Sequence, residues 1–327
     1  MTEKVFKTVE EQIQILKSRN LNILDEKNAK RILQKISYYD IINGYNDIFL
    51  EIEADSTNGI EEVYYQDINF EMIYELYSFD ADLRNLVLKY IDIVETYLSS
   101  SLAYVISSNH GHKETNYINK DIYKPGKRKS STKFEVDGLI ERMIVCSNKD
   151  MAPIVYYKST HGYLPPWILF KYLMFGEKEK VFQLLKPKDK SDTVKIFQSN
   201  FIISKNFSAN FYTQALAIIR EFRNTCAHGS RVYNHVHKYE ELPYNHLLEF
   251  LNVNKKQDLG KSDITALIIS IYSFIGGDRT IDSNWVSFIT EFDETMKKFK
   301  NKVPLKFFEK LVEEMNLPMD FEKLKHI

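Results

Sequence analysis

"LRNLVLKYIDIVETYLSSSLAYVIS", Leu83 to Ser107, is the stretch whose reading decides the fold. Leu83, Leu86, Val87, Tyr90, Ile91, Val94, Tyr97, Leu98, Leu102 and Val105 keep a three/four spacing, which predicts a long, deeply packed helix. The same periodicity begins near Asp67, and a kink is expected, if anywhere, at "SFDAD" (Ser78–Asp82). One residue breaks the rule. Glu95 shares its row with Ile91, Leu98 and Leu102, so its carboxylate should face the core side. There it needs either a partner or a shifted pKa, unless it snorkels to water from an edge.

The rest of the chain reads the same way. Over 327 residues there are only 11 glycines and 8 prolines, too few breakers for many short strands. Residues 8–18 and 26–36 predict two helices, with Asp25 as N-cap of the second. "EIEADSTNGIEE" (51–62) reads as a loop, as do residues 108–133, and "KPKDKSD" reads as a polar connection. Pro165-Pro166 precedes an apolar helical run, and further helices follow to the C-terminus. With no repeat and no coherent strand alternation, the expected fold is all-α. The expected segments are residues 1–60, a core over 61–255 with 108–133 inserted, and a C-terminal part over 256–327.

Composition narrows function by exclusion. A formal net charge of −1 leaves no general field for polyanions, so any nucleic-acid contact must use local patches. The two cysteines, Cys146 and Cys226, have no CxxC spacing, which fits a reducing compartment. The charged N-terminus does not read as a signal peptide, and no apolar run approaches the ~18–20 residues of a membrane span. A cytoplasmic location is expected. The 21 tyrosines and 21 phenylalanines read first as packing groups and second as stacking platforms.

Chemistry concentrates in "REFRNTCAHGSRVYNH", Arg220 to His235. A helix predicted over about 208–228 buries Phe211, Ala215, Ile218, Phe222 and Cys226, and carries Ala217, Arg220, Glu221, Asn224 and His228 on another flank. Asn224 and His228 are four apart and therefore neighbours. Arg223 lies roughly 140° off His228 on ideal geometry, with a stem long enough to reach the same rim. Gly229 is a natural residue just past a helix end, where the last carbonyls attract cations. The plain alternative is an Arg and a His capping terminal carbonyls. Nearby Arg231 and Tyr233 add to the polar set. Arginine supplies a planar fork for phosphate and histidine moves protons near neutrality. "HVH" (His235, His237) is a weak metal signal, no phosphate-binding glycine loop occurs, and no cofactor or metal is expected. The set suits RNA cleavage by the substrate's own 2′-hydroxyl. That reaction needs an acid and a base where the motif offers one histidine, so a homodimer with a composite site is expected. Lys124, Lys127, Arg128, Lys129 and Lys133 are the candidate RNA-backbone contacts, the alternative being a solvated connector.

"RNTCAH" (Arg223–His228) resembles the R-N-x-x-x-H signature of HEPN domains. "LQKISYYDIINGYNDIF", "IYELYSFDADLRNLVLKYIDIVETYLSSSLAY", "PPWILFKYLMFG" and "REFRNTCAHGSRVYN" resemble, in order, the blocks of the Abi-like (AbiD/AbiF) abortive-infection proteins, covering roughly residues 30–235. The resemblance implies a HEPN-type helical core, metal-independent RNA cleavage, a role in anti-phage defence or a toxin–antitoxin system, and control by a bound structured noncoding RNA. It implies Arg223, Asn224 and His228 as catalytic residues and an acid at Glu95, while Arg220, Glu221, Arg231 and Tyr233 are candidate supporting residues from their place beside the motif. Relatives commonly carry a second histidine where Gly229 stands and a tryptophan where Tyr233 stands. The competing readings are a noncatalytic RNA-binding protein that forms a ribonucleoprotein with such an RNA, and a plain helical interaction module.

Overall fold

The computed structural model describes residues 5–55, 58, 60–199, 207–277 and 283–326. The chain begins with α1 (Val9–Ser18) and α2 (Glu26–Lys35). Thr8 caps the first in a reciprocal pair with Glu11, and Asp25 caps the second by accepting from the Asn28 amide at 2.9 Å. After a π-turn at Tyr39–Asn43, β1 (Leu50–Ile52) pairs antiparallel with β2 (Val63–Tyr64). The acidic stretch read as a loop thus starts with a strand, and Ser56, Thr57 and Gly59 of that stretch lie outside the described residues. The ladder was illegible because two- and three-residue strands carry too few positions to show alternation.

The central element is α3 (Phe70–His110), roughly 60 Å long at about 1.5 Å per residue. Asn69 caps it by accepting from the Met72 amide at 3.0 Å, and Gly111, at φ 100°, ends it. It continues unbroken as α-helix through "SFDAD", which contains neither proline nor glycine. Past α3, the segment expected to be a loop over 108–133 holds the last turn of α3, then α4 (Glu114–Tyr117) and a 3-10 turn at Lys120–Ile122. Then come α5 (Glu135–Ser147), α6 (Ala152–His161), α7 (Pro166–Tyr172) and α8 (Phe175–Leu184). Pro166 begins α7 as expected. The "KPKDKSD" stretch is helical rather than a connection. It opens α9 (Pro187–Gln198), with Pro187 at its first position and Asp189 in its first turn, both of which favour a helix N-terminus.

α10 (Ala209–Ala227) follows, then α11 (His246–Phe250), α12 (Ile264–Ile275), α13 (Asn284–Lys300) and α14 (Leu305–Glu314). Every residue of α12 is buried. α10 lies between α3 and α12 and also touches α8 and α9, while α7, α9 and α13 close over other faces of α3. Apart from its two-stranded sheet the fold is all-α, as the periodicity predicts. Among the described residues no helix is long and apolar enough to cross a membrane.

Candidate functional site

α10 is buried along most of its length and comes to the surface at its last turn. Ser208 caps its start, accepting from the Phe211 amide at 3.1 Å, and Phe211, Ala215, Leu216, Ile218, Ile219, Phe222 and Cys226 are buried. The end is a Schellman motif. The Gly229 amide donates to the Cys226 carbonyl and the Ser230 amide to the Thr225 carbonyl, each at 3.1 Å, with Gly229 at φ 70°. A side chain at Gly229 would meet nothing within 4 Å, so the left-handed backbone alone requires glycine. His228 is the last residue before that turn. Burial pushes the Cys226 thiol up to about 12, which leaves it an inert packing group.

Arg223 and His228 are exposed and Asn224 is half-buried. Among the described residues none of the three side chains makes a hydrogen bond or ion pair, so a guanidinium, an amide and an imidazole stand free on one helix tip. The cap alternative, in which Arg223 and His228 bond the terminal carbonyls, is not what the side chains do. Backbone amides satisfy those carbonyls instead.

The segment beyond the tip is held from beneath by Asp80 of α3. One carboxylate oxygen accepts from the Val232 and Tyr233 amides at 3.0 and 2.9 Å. The other accepts from the Tyr45 hydroxyl at 2.8 Å and from the Arg84 guanidinium. Arg84 also reaches the Ser230 carbonyl at 3.5 Å. Burial pushes the Asp80 carboxyl up, and the Arg84 charge with these donors pulls it back. Asp80 and Arg84 escaped the sequence reading. The available signal was the one that flagged Glu95, a carboxylate on the buried row of α3, here with an arginine four residues on.

The remaining candidates divide into separate environments. Arg231 donates to the Gly44 carbonyl at 2.7 Å and to Asp47 at 2.8 Å, and its guanidinium lies 5.5 Å from the Tyr233 ring centre. Tyr233 is buried against Tyr45, so it packs and is not available to stack on a base, and burial raises its phenol and keeps it protonated. Arg220 is paired with Glu179 of α8 at 2.5 Å. Glu221 lies 4.0 Å from His235, whose ring is 3.3 Å from the Thr225 hydroxyl. A second imidazole therefore sits beside the row of α10 that carries the motif, where "HVH" in the sequence suggests no more than surface or packing groups and a weak metal signal. Burial lowers its pKa. His237 accepts the Tyr239 and Glu240 amides on Nδ1 at 3.0 Å. Among the described residues no group of three or more His, Cys, Asp and Glu side chains is placed to hold a metal ion.

Glu95 has the partner its position demands. Lys178 of α8, almost fully buried, donates to it at 2.6 Å. The pair lines a cavity of about 500 Å³ with Asp92, Thr96, Ser99, Trp167 and Lys171. Eleven residues separate Glu95 from Arg84, roughly 17 Å along the helix axis. Within one chain Glu95 is thus set well away from the stretch of α3 that braces the motif.

The basic segment is built rather than loose. The Lys124 amide donates to the Leu184 carbonyl at 2.7 Å, and Val136 and Glu135 return amides to Pro125 and Lys127. Gly126 sits at φ 72°, where an added side chain would come within 2.6 Å of Glu135 and 2.8 Å of Leu184. Lys129 pairs with Glu135 at 3.7 Å and Lys133 with Glu141 at 2.7 Å, while Arg128 turns back onto the Ser130 and Ser131 carbonyls. Lys124 and Lys127 have no ion pair among the described residues.

With this geometry in hand, a family model described as Abi-like protein matches residues 31–234. The chain belongs to the Abi-like protein family. The match runs from α2 through the tip of α10 to Asn234, and so takes in Asp80, Glu95, the basic hairpin and the motif. Membership of the Abi-like family points to a role in abortive infection. No curated protein and no solved structure matches the chain.

Proposed function

We propose that this chain is a metal-independent endoribonuclease of an abortive-infection or toxin–antitoxin system, acting as a homodimer and controlled by a bound structured noncoding RNA. The observation that carries the reading is the placement of both Arg223 and His228, exposed and without partners among the described residues, on a braced helix end. A 2′-hydroxyl attacks the adjacent phosphorus, the P–O5′ bond breaks, and the products are a 2′,3′-cyclic phosphate and a 5′-hydroxyl. His228 of one protomer takes the 2′-hydroxyl proton, and His228 of the second, protonated, supplies one to the leaving 5′-oxygen. Arg223 meets the charge that develops on the phosphorane oxygens, and Asn224 orients the strand or the imidazole. Both roles need two copies because each chain brings one motif histidine.

The test is His228→Ala, at an exposed position where the fold should be unaffected. Cleavage and toxicity should disappear while the circular dichroism and melting temperature stay the same. Arg223→Ala should lower kcat/KM by about 10²–10³, the size of losing one transition-state donor. Equal cleavage by the His228 variant would overturn the reading. RNA binding that is steeply salt-dependent, unchanged in that variant and without products, would make the chain a noncatalytic RNA-binding protein instead.

A further inference from the structure

A cleft of about 780 Å³ opens between the basic hairpin, α8 and α10. Thr213, Gln214, Ala217 and Arg220 of α10 form its floor, and Lys124 to Lys127 form its opposite wall. Ala217, with only a methyl group, leaves the cleft open above the helix. Gly176 lets the Arg220 stem cross α8, since a side chain there would come within 3.3 Å of the Arg220 Cδ.

The charges in this cleft do not cancel. Glu135 is taken up by the Lys127 amide at 2.9 Å and by Lys180 and Lys129 at 3.3 and 3.7 Å. Glu179 is taken up by Arg220. Glu240 also lines the cleft and has no ion pair among the described residues. Lys124 and Lys127 have no carboxylate among the described residues, and neither does Lys190, directly behind the floor. The Lys190 ammonium donates to the Gln183 carbonyl at 3.1 Å and the Thr213 hydroxyl at 3.4 Å, over the Phe182 ring. Both hydrogen-bond partners also line the cleft. Burial and the Lys124 charge push Lys190 down to about 8. Two ammonium groups near enough to repel, one of them partly desolvated, are what an incoming anion would relieve.

Direction follows from the helix. On ideal geometry Thr213, Ala217, Asn224 and His228 fall within about 40° of one line along α10. From Ala217 to His228 is roughly 17 Å, the length of on the order of five stacked nucleotides. The cleft therefore lies in line with Asn224 and His228, one end cationic and the other at the helix tip, while Arg223 projects from the far side of that row.

We propose that the cleft holds the sugar-phosphate backbone of a single-stranded RNA, with phosphates at Lys124 and Lys127 above the Lys190 charge, and that the strand runs along α10 to Asn224 and His228, where the Arg223 stem reaches round. The placement of the scissile phosphate rests on the nuclease reading; the groove itself does not. The probe is a fluorescein-labelled oligouridylate of about 12 nucleotides, titrated against the full chain carrying His228→Ala over a range of KCl concentrations. A further Lys124→Gln, Lys127→Gln double change should weaken binding and flatten the log–log salt dependence by about 1.4, at ~0.7 per lost phosphate contact. Lys190→Met, which keeps the stem over Phe182, should weaken binding with a smaller flattening than one lost phosphate contact, and Lys255→Gln, exposed on the surface, should leave it alone.

Unchanged slopes in the Lys124, Lys127 and Lys190 variants, with the parent chain still cutting RNA, overturn the groove and leave the nuclease standing. Flattened slopes in a chain whose unmutated form never cuts RNA support the groove and remove the nuclease. Stabilisation by millimolar inorganic phosphate that needs Lys124 and Lys190, with no effect of either on oligouridylate affinity, would make this a small-anion site and overturn the proposal.

Discussion

Replace Asp80 by asparagine. The side chain keeps its shape and one oxygen, which can still accept from the Val232 and Tyr233 amides, but an NH2 now faces the Arg84 guanidinium and the Tyr45 hydroxyl. Removing one member of a buried ion pair costs about 3–5 kcal/mol, because the other charge is left without compensation. Two amide bonds to a carboxylate also become bonds to a neutral oxygen, each weaker by about half. Arg84 retains a little access to water, so we expect the lower part of that range, about 3–4 kcal/mol. For a chain of this length, whose urea m-value is about 3 kcal/mol/M or more, the midpoint falls by about 1 M with little change in slope. Hydrogen exchange gives the local view: the Val232 and Tyr233 amides should lose protection beyond the global loss.

Arg84→Met supplies the control. Alone it strands the carboxylate and destabilises, whereas combined with Asp80→Asn it removes both charges and should recover part of the loss. A midpoint shift below about 0.3 M for Asp80→Asn, or strict additivity in the double variant, would refute the claim that this pair anchors the segment behind the motif.

Asp263 caps α12 with one oxygen on the Ala266 amide at 3.0 Å and the other on the Gly260 amide at 2.8 Å, and burial raises its pKa to about 6. The folded state holds that proton more tightly than the unfolded one, so this group's contribution is most favourable below about pH 4 and is lost by about pH 6. The stability of the parent chain minus that of Asp263→Asn should therefore fall by about 2 kcal/mol between pH 4 and 7, and a flat difference would contradict the burial argument. Cys226 should resist iodoacetamide at pH 8 in the folded chain, and Cys226→Ala should leave any RNA cleavage unchanged; rapid native-state labelling would place the thiol elsewhere. Glu95→Leu with Lys178→Met replaces an ion pair by apolar stems and should leave urea stability equal or up to a few kcal/mol higher, while either change alone costs several.

The fold was legible because helical periodicity is redundant. Nine of the ten apolar positions named over Leu83–Val105 are buried along one stripe, Tyr97 turning to solvent instead, and no single polar residue can mask them. What was missed depended on few positions or on distant partners. β1 and β2 are too short to alternate, and α9 hides its apolar residues, Val194 and Phe197, behind a charged first half. At the site, local spacing correctly placed His228 at the helix end, Gly229 beyond it and Glu95 toward a partner. It could not tell which polar neighbours of the motif are already taken. Arg220, Arg231 and Tyr233 look equivalent to Arg223 in the sequence. Only their contacts with Glu179, Asp47 and Tyr45, from 41 to 188 positions away, separate structural groups from free ones.

Three buried or half-buried ion pairs meet around α10 and its neighbours: Asp80 with Arg84, Glu95 with Lys178, and Glu179 with Arg220. Apolar residues of similar volume would hold the core as well or better, so stability alone does not explain them. Their directions do. Lys178 and Glu179 are adjacent on α8, and one engages α3 while the other engages α10. A helix that must satisfy two neighbours in opposite directions with consecutive residues has one rotation and one axial position available to it. Apolar contacts tolerate small slides, whereas an unpaired buried charge does not. The pairs therefore fix where α10 ends relative to α3, and Asp80 fixes the chain that leaves it. Arg223 and His228 can stand without partners of their own because the helix that carries them is held by charges elsewhere.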